Sequence, residues 1–532
     1  MKADQLDYDV IIVGSGVAGA ILADSLATHK HRILILEAGP KNDPRSEIIK
    51  RYRLDPRQKN GSPHKWNAQT PRQDSKHKYY VQKGPVPFKS QYERCVGGTT
   101  WHWLGTCLRM LPVDFQMQSV YGVGMDWPIS YEDLEPWYTL AEKELGVAGD
   151  DREDLGSPRS GPYPKRSIPL SYFDREVIKF LEHEKYEGKR LHVNANPQAR
   201  DPDLCQGSRS CIPICPMGAK YEADQHLTRA KKKGVKLKSE RVVSKVLIGN
   251  NGKVKALQYR TLDGSTGEVR AKVYVLAANA IETPKLLLMS ENEASPQGAS
   301  NSSGHVGRNL MDHPLISTIG FSKQPVFAMR GPLCTAGIDS LRDSPQRSKQ
   351  AAFRLEIVNS GWDDPIKAAE QLIDQNIFGK DLQQALKSRA HCQIEFAALM
   401  EQLPDFSNRV TLAKTDLDPL GFPRPEIHYS WSEYLEKGIA EAKRAHQFLF
   451  AGLKGRKVGH RDFGAGHIMG TCRMGDQSKN SVVNKHLRSH DHENLFIVGS
   501  AVFPTGGTSN PSLTIAALSL RAAAYIHKEL VG

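Results

Sequence analysis

No apolar run in this chain reaches the eighteen or so residues that a membrane-crossing helix needs; Asp, Lys or Gly interrupts each one sooner. The amino terminus shows no hydrophobic stretch of the kind that directs secretion. Asp4, Asp7 and Asp9 lead into the first apolar run, and Asp24 falls within residues 22–27. Export is therefore expected to depend on another chain. There is no internal repeat, low-complexity tract, zinc-finger spacing, aromatic RNA-binding motif or basic heptad, so the net charge of +13 reads as a solvated basic surface. Nucleic acid is not an expected partner. The charge concentrates at 45–89 and at 229–245, the second reading as an exposed helix end and strand. An acidic redox partner or a cofactor's phosphates account for it more simply. Cysteine is sparse as well, eight in 532 residues. What remains is 39% apolar and 25% charged, a globular chain large enough for two or more cores.

The first informative segment is the run YDVIIV at 8–13, short, apolar and β-branched, as a buried parallel strand should be. Gly14, Gly16 and Gly19 follow in GSGVAG, then a helical pattern through Leu26, a second strand at 31–36, and Glu37. In that context the glycines allow a tight turn, approach of a pyrophosphate, and close helix–strand packing, while the acid binds an adenosine ribose. Residues 39–94 lose periodicity and read as an extended surface excursion, a lid or partner-facing loop. Ser130 with Asp133 reads as a helix cap before an amphipathic helix through Leu145. Residues 272–277 form another strand, with Asn279 and Thr283-Pro284 opening a Leu-rich helix. After about Leu315, alternating runs such as 410–412 and 426–429 suggest a mostly antiparallel second domain. A strand at 494–498 and a long helix at 512–530 return to the first.

Cys205, Cys211 and Cys215 lie within eleven residues and Pro216 follows. Disulfides would leave one thiol over, and structural zinc wants a fourth ligand that His192 and His226 lie too far away to supply. Three thiolates suit a 3Fe–4S cluster; three unliganded thiols are the other reading. Cys95, Cys107, Cys334, Cys392 and Cys472 are isolated and read as small buried hydrophobes.

Several ordered motifs carry a family resemblance: GSGVAG with Glu37, Gly97-Gly98-Thr99-Thr100, AIETP at 280–284, VGRNLMDHP at 306–314, HIMGTCRMG at 467–475, and Ser509-Asn510-Pro511. With them the chain resembles the glucose-methanol-choline (GMC) family of FAD oxidoreductases over almost its full length. The three cysteines and Trp101-His102-Trp103 narrow the likeness to catalytic subunits of bacterial sugar dehydrogenases, those for glucose, glucoside C3, gluconate and fructose. The resemblance implies an α/β fold: a Rossmann-like FAD-binding domain with a second α+β substrate domain on an antiparallel sheet. The expected parts are an FAD-binding domain at 1–110, a cap region at 111–204, an iron–sulfur segment with more of the FAD domain at 205–315, a substrate domain at 316–455, and a catalytic segment closing the FAD domain at 456–532.

The same resemblance assigns roles. His467 becomes the base that removes the hydroxyl proton, a task suited to histidine. Asn510, where many relatives carry histidine, positions the substrate oxygen but cannot share the proton. Gly97, Gly98, Thr99 and Thr100 cradle the flavin, with Ala278, Ser500 and Pro511 also contacting it. Relatives usually have Asp in the stretch 498–501, so Ser500 is a weaker substitute. The helix opened by residues 508–512 turns its positive end toward the reduced flavin anion. His102 matches the covalent FAD attachment point of pyranose oxidases; the other reading is a histidine stacked beside the ring between Trp101 and Trp103. Gln393, Glu395, Phe396 and Asn408 are candidate pocket walls.

The implied function is oxidation of a glucose-like pyranose or glucoside at C1 or C3, electrons passing through a 3Fe–4S cluster to an acceptor such as cytochrome c. Alternatives are a gluconate, ketose or polyol dehydrogenase, an oxidase using O2, for which the cluster is unnecessary, and a noncatalytic electron relay, against which His467 and Asn510 argue. Such relatives work in the periplasm, so a small subunit bearing an export signal is an expected partner, with membrane association through a cytochrome.

Overall fold

The computed structural model describes residues 6–54, 79–209, 211–212, 214–293, 295–359 and 365–532. Its first unit is built on a five-stranded parallel sheet. Tyr8–Val13 pairs on one side with Ala271–Leu276 and on the other with Ile33–Leu36; Leu495–Ile497 and Lys236–Lys238 complete the edges. The central strands are apolar on both faces because helices cover both, and residues 10–12 and 33–36 are almost fully buried. The helix Val17–Ala27 leaves the first strand directly, and the carboxy-terminal helix Ser512–Val531 packs beside it. The cap at Ser130 forms as expected: its Oγ accepts from Asp133 N–H at 3.1 Å, and Asp133 Oδ2 accepts from Ser130 N–H at 3.0 Å, starting Tyr131–Leu145.

The second unit is a six-stranded sheet ordered Arg456–Gly464, Pro314–Phe321, Gln393–Met400, Phe353–Val358, Cys334–Ile338, Val193–Ala195, with antiparallel neighbours throughout. One face, carrying Ile316, Leu355, Ile357, Phe396 and Ala398, packs into a second core under helices Tyr172–Leu181 and Glu433–Gly452. Burying a side chain such as Phe396 there contributes about 1.5–3 kcal/mol. The opposite face turns toward the first unit.

Two expectations need correction. The stretch 39–94 is not wholly irregular: Arg45–Leu54 is a helix and Val81–Lys83 a strand, while 55–78 lies outside the described residues. The alternating runs near 410 and 426 form a hairpin, Arg409–Leu417 with Pro423–His428, but it does not join the six-stranded sheet. It pairs with Val81–Lys83, and Val410 and Ile427 are buried in the first core.

Candidate active site

The carboxyl ends of the parallel strands open onto the glycine turn, the place where this sheet type binds ligands. Gly14 holds φ +101°, and a Cβ on it would lie 2.5 Å from the Ala277 carbonyl oxygen; one on Gly19 would lie 2.1 Å from that of Gly14. No other residue fits either place. A Cβ on Gly16 would meet no atom within 4 Å, so the turn is open on the side a pyrophosphate would approach. Glu37 is buried at the end of the second strand. Its Oε2 accepts from Ser15 N–H at 2.9 Å and Oγ–H at 2.7 Å, and its Oε1 from Gly39 N–H at 2.8 Å. Burial pushes its carboxyl pKa up and these bonds oppose the rise.

Gly14, Gly16, Glu37, Gly98, Thr99 and Ala278 line a chamber of about 130 Å³. Gly16, Thr99, Ala277 and Asn279 are shared with a larger cavity of about 470 Å³. Two chambers joined at the glycine turn suit a cofactor with a nucleotide at one end and a flat ring at the other.

The larger cavity brings together Thr99, Thr100, His102, His467, Ser500, Asn510 and Pro511, which stand far apart in sequence. Pro511, Ser512 and Ile515 present the start of the carboxy-terminal helix to it, with the free first-turn N–H groups and positive dipole end that such a start carries. Ser500 Oγ–H already donates to the Ile468 carbonyl at 2.6 Å, leaving only lone pairs for a ligand hydroxyl. His102 lines the cavity with Nδ1 3.2 Å from Glu93 Oε1. It is not sandwiched between tryptophans there. Trp103 shares the wall, whereas Trp101 packs away with Ile48, Cys95 and Ile214.

His467 is half-buried in the cavity wall. Its Nδ1 lies 2.9 Å from His313 Nδ1, and its Nε2 lies 3.4 Å from Asn510 Nδ2. The backbone of Gly506 lies beside His313 Nε2, and the Gly506 and Gly507 backbones favour a proton on that ring. One proton lies between the two Nδ1 atoms, and His467 Nε2 faces the Asn510 amide. Burial first, and the neighbouring His313 second, hold the His467 pKa well below the usual 6.5. Asp312 fixes the backbone, its Oδ1 accepting from His313 N–H at 2.8 Å and His467 N–H at 3.0 Å. Asn510 Oδ1 is buried with no protein partner, an acceptor left for a ligand.

The roof of the cavity comes from the second sheet: Leu315, Glu356 and Leu399. None of the four expected wall residues lines it. Phe396 points into the second core, Glu395 accepts from Ser317 Oγ–H, and Asn408 Oδ1 accepts from Ser430 N–H at 2.8 Å. Gln393 begins its strand at the far end, paired with Phe321.

The cysteine loop lies on the other side of the Thr99–Thr106 wall. Cys205, Cys211 and Cys215 line one small hollow, and all eight cysteines of the chain are free of disulfides. Of the five isolated ones, Cys392 is only half-buried, against expectation. The three thiols are not gathered as the ligands of a single ion would be. Among the described residues only Asp24, Glu144 and His226 bring their ligand atoms within 4.8 Å of one another, and Arg229 and Lys233 pair with Asp24 there. Arg200 places Nη2 3.6 Å from Cys211 Sγ and 3.0 Å from the Leu104 carbonyl of the cavity wall. Lys220, buried enough that its pKa falls to about 7, donates to the carbonyls of Trp101 at 2.8 Å and Trp103 at 2.7 Å.

A nucleotide-binding turn, a half-buried imidazole beside an amide and a helix terminus facing the same cavity suit a flavin-dependent oxidoreductase of CH–OH donors. The chain belongs to the GMC oxidoreductase family: residues 185–315 and 404–519 match its two profiles, both described as GMC oxidoreductase. It is 35% identical over 545 residues to the fructose dehydrogenase large subunit of Gluconobacter japonicus, spanning 100% of this chain and 99% of that one. It is 27% identical over 555 residues to 2-methyl-1,2-propanediol dehydrogenase of Mycolicibacterium austroafricanum, spanning 99% and 96%. Pyridoxine 4-oxidase from Mesorbium loti shares the fold, with a TM-score of 0.69 at 19% identity over 98% of this chain and 99% of that one. No helix among the described residues is long and apolar enough to cross a membrane.

Proposed function

We propose that this chain is the catalytic subunit of an FAD-dependent sugar dehydrogenase, acting on a pyranose or glucoside at C1 or C3 or on a ketose. Its electrons leave through a 3Fe–4S cluster on Cys205, Cys211 and Cys215 to a cytochrome c or similar acceptor. The observation that carries this reading is adjacency: Ile212, the residue after Cys211, lines the same cavity as His467 and Asn510.

On this reading His467 Nε2 takes the hydroxyl proton while the Asn510 Nδ2 amide donates to the substrate oxygen and holds the alcohol in place. FAD, when bound, supplies the two-electron acceptor for the carbon-bound hydrogen, and the first turn of the carboxy-terminal helix favours the negative charge that results. A 3Fe–4S cluster, when bound, supplies one-electron chemistry; Arg200 sets a fixed positive charge beside two of its three thiols. A small signal-bearing subunit would carry the chain to the periplasm.

The test is dye-linked turnover of glucose, methyl glucoside and fructose by the holoprotein. At least one is expected to be oxidised, and His467→Ala, with flavin content unchanged, should lower kcat by about 10²- to 10⁴-fold. Cells co-expressing the neighbouring genes should hold this activity in the periplasmic fraction. Failure with every sugar, or hydrogen peroxide matching product under air, would contradict the reading.

A further inference from the structure

The strand Phe353–Val358 reads FRLEIV, and its alternation divides two chemistries between two faces. Phe353, Leu355 and Ile357 enter the second core, while Arg354 and Glu356 turn to the face above the cavity. Arg354 is fully buried and fully engaged: Nε donates to Asp339 Oδ1 at 2.9 Å, Nη1 to Glu356 Oε1 at 2.8 Å, and Nη2 to Asn196 Oδ1. Two carboxylates thus share one guanidinium, and the group that reaches the cavity is Glu356. Among the described lining residues, histidines and the Tyr92 phenol aside, Glu356 and Lys89 alone carry ionisable side chains, and Lys89 pairs with Asp462.

We propose that Glu356 selects the substrate, accepting hydrogen bonds from hydroxyls remote from the carbon that is oxidised. A buried carboxylate with a half-share of a cation gains most from neutral O–H donors, which complete its hydrogen bonding without adding charge. A carboxylate-bearing sugar acid meets like charge in a water-poor space and is rejected. The site is therefore matched to neutral polyhydroxylated substrates. Arg354 acts as a positioning residue, holding the Glu356 carboxyl at the cavity edge. This rests on the sugar dehydrogenase reading and narrows its substrate class.

The experiment compares wild-type holoenzyme with Glu356→Gln, using a dye acceptor, the neutral sugar that wild type oxidises, its mono-deoxy analogues, and the corresponding sugar acid. Glu356→Gln should raise KM for the parent sugar by about tenfold or more, the scale of one charge-assisted hydrogen bond, with kcat within about twofold. At least one deoxy analogue should be used equally poorly by both proteins, because it lacks the hydroxyl that Glu356 holds. Flavin content and thermal midpoint check the fold; if Gln fails to fold, Glu356→Asp, which withdraws the carboxylate, should raise KM in the same way. A parent-sugar KM indifferent to substitution overturns this inference alone. A wild type that oxidises the sugar acid and no neutral sugar overturns both it and the functional reading.

Discussion

His467 and His313 meet Nδ1 to Nδ1 at 2.9 Å, and two neutral imidazoles in that arrangement share a single proton. Their common burial makes a second proton costly, holding His313 to about 4 and His467 well below 6.5. A base must be neutral to act, so activity falls only as pH drops through its pKa. The acid limb of kcat/KM is accordingly expected below the ordinary histidine range, and a profile with its midpoint at 6.5 or above would contradict the pairing. His467 and Asn510 were legible in sequence because they sit in motifs where a base and an amide are recognisable by residue type. His313 lay in the quoted run VGRNLMDHP without a role, since its meaning comes from a contact 154 residues away. Glu356 does leave a signal in sequence, two charges alternating through an apolar strand.

At the scale of elements, Asn510 is placed by the turn that precedes the carboxy-terminal helix, and Arg342 fixes that turn. Fully buried, it donates from Nε to Thr508 Oγ at 3.1 Å, and from Nη2 to Ser509 Oγ at 2.6 Å and the Arg109 carbonyl at 2.9 Å. Arg342→Met removes these donors, and the one from Nη1 to the Leu155 carbonyl, and leaves buried acceptors behind, costing about 1–3 kcal/mol. Denaturant unfolding should show that loss, and steady-state kinetics should show kcat falling while KM changes little, because the turn carrying Asn510 loosens. Arg342→Lys should not restore kcat, since one ammonium cannot reproduce the fork. The strands at 8–13, 271–276 and 495–497 were legible because burial on both faces demands short, unbroken apolar runs. The helix Arg45–Leu54 was not. It is largely basic and anchored by Ile48, with Ile49 beside it, in a small core with Trp101 and Ile214, too little apolar surface to impose a period on the sequence.

On the scale of the whole molecule, two cores enclose one cavity, and the cysteine loop adjoins it. Buried ion pairs tie the units together: Arg347 joins Asp114 at 2.5 Å to Glu401 at 2.6 Å. Ligand count already suggested that three cysteines favour a cluster over zinc or disulfides. Only the fold places them behind the wall that carries Trp103 and Leu104, with Ile212 reaching through. That proximity could not be read from sequence, because the loop and the catalytic residues lie some 250 to 300 residues apart and meet through sheet topology.

If a sugar's electrons pass from the cavity of His467 to the Cys205, Cys211 and Cys215 centre, as proposed, anaerobic EPR of the holoprotein will register their arrival. An oxidised 3Fe–4S cluster carries an unpaired spin that one-electron reduction removes from a conventional spectrum. The as-purified protein should show that signal and lose it on addition of the sugar as the flavin bleaches; Cys211→Ser should still bleach but show no signal at the start. A wild-type flavin that bleaches with sugar in a protein lacking both iron and signal would contradict the account.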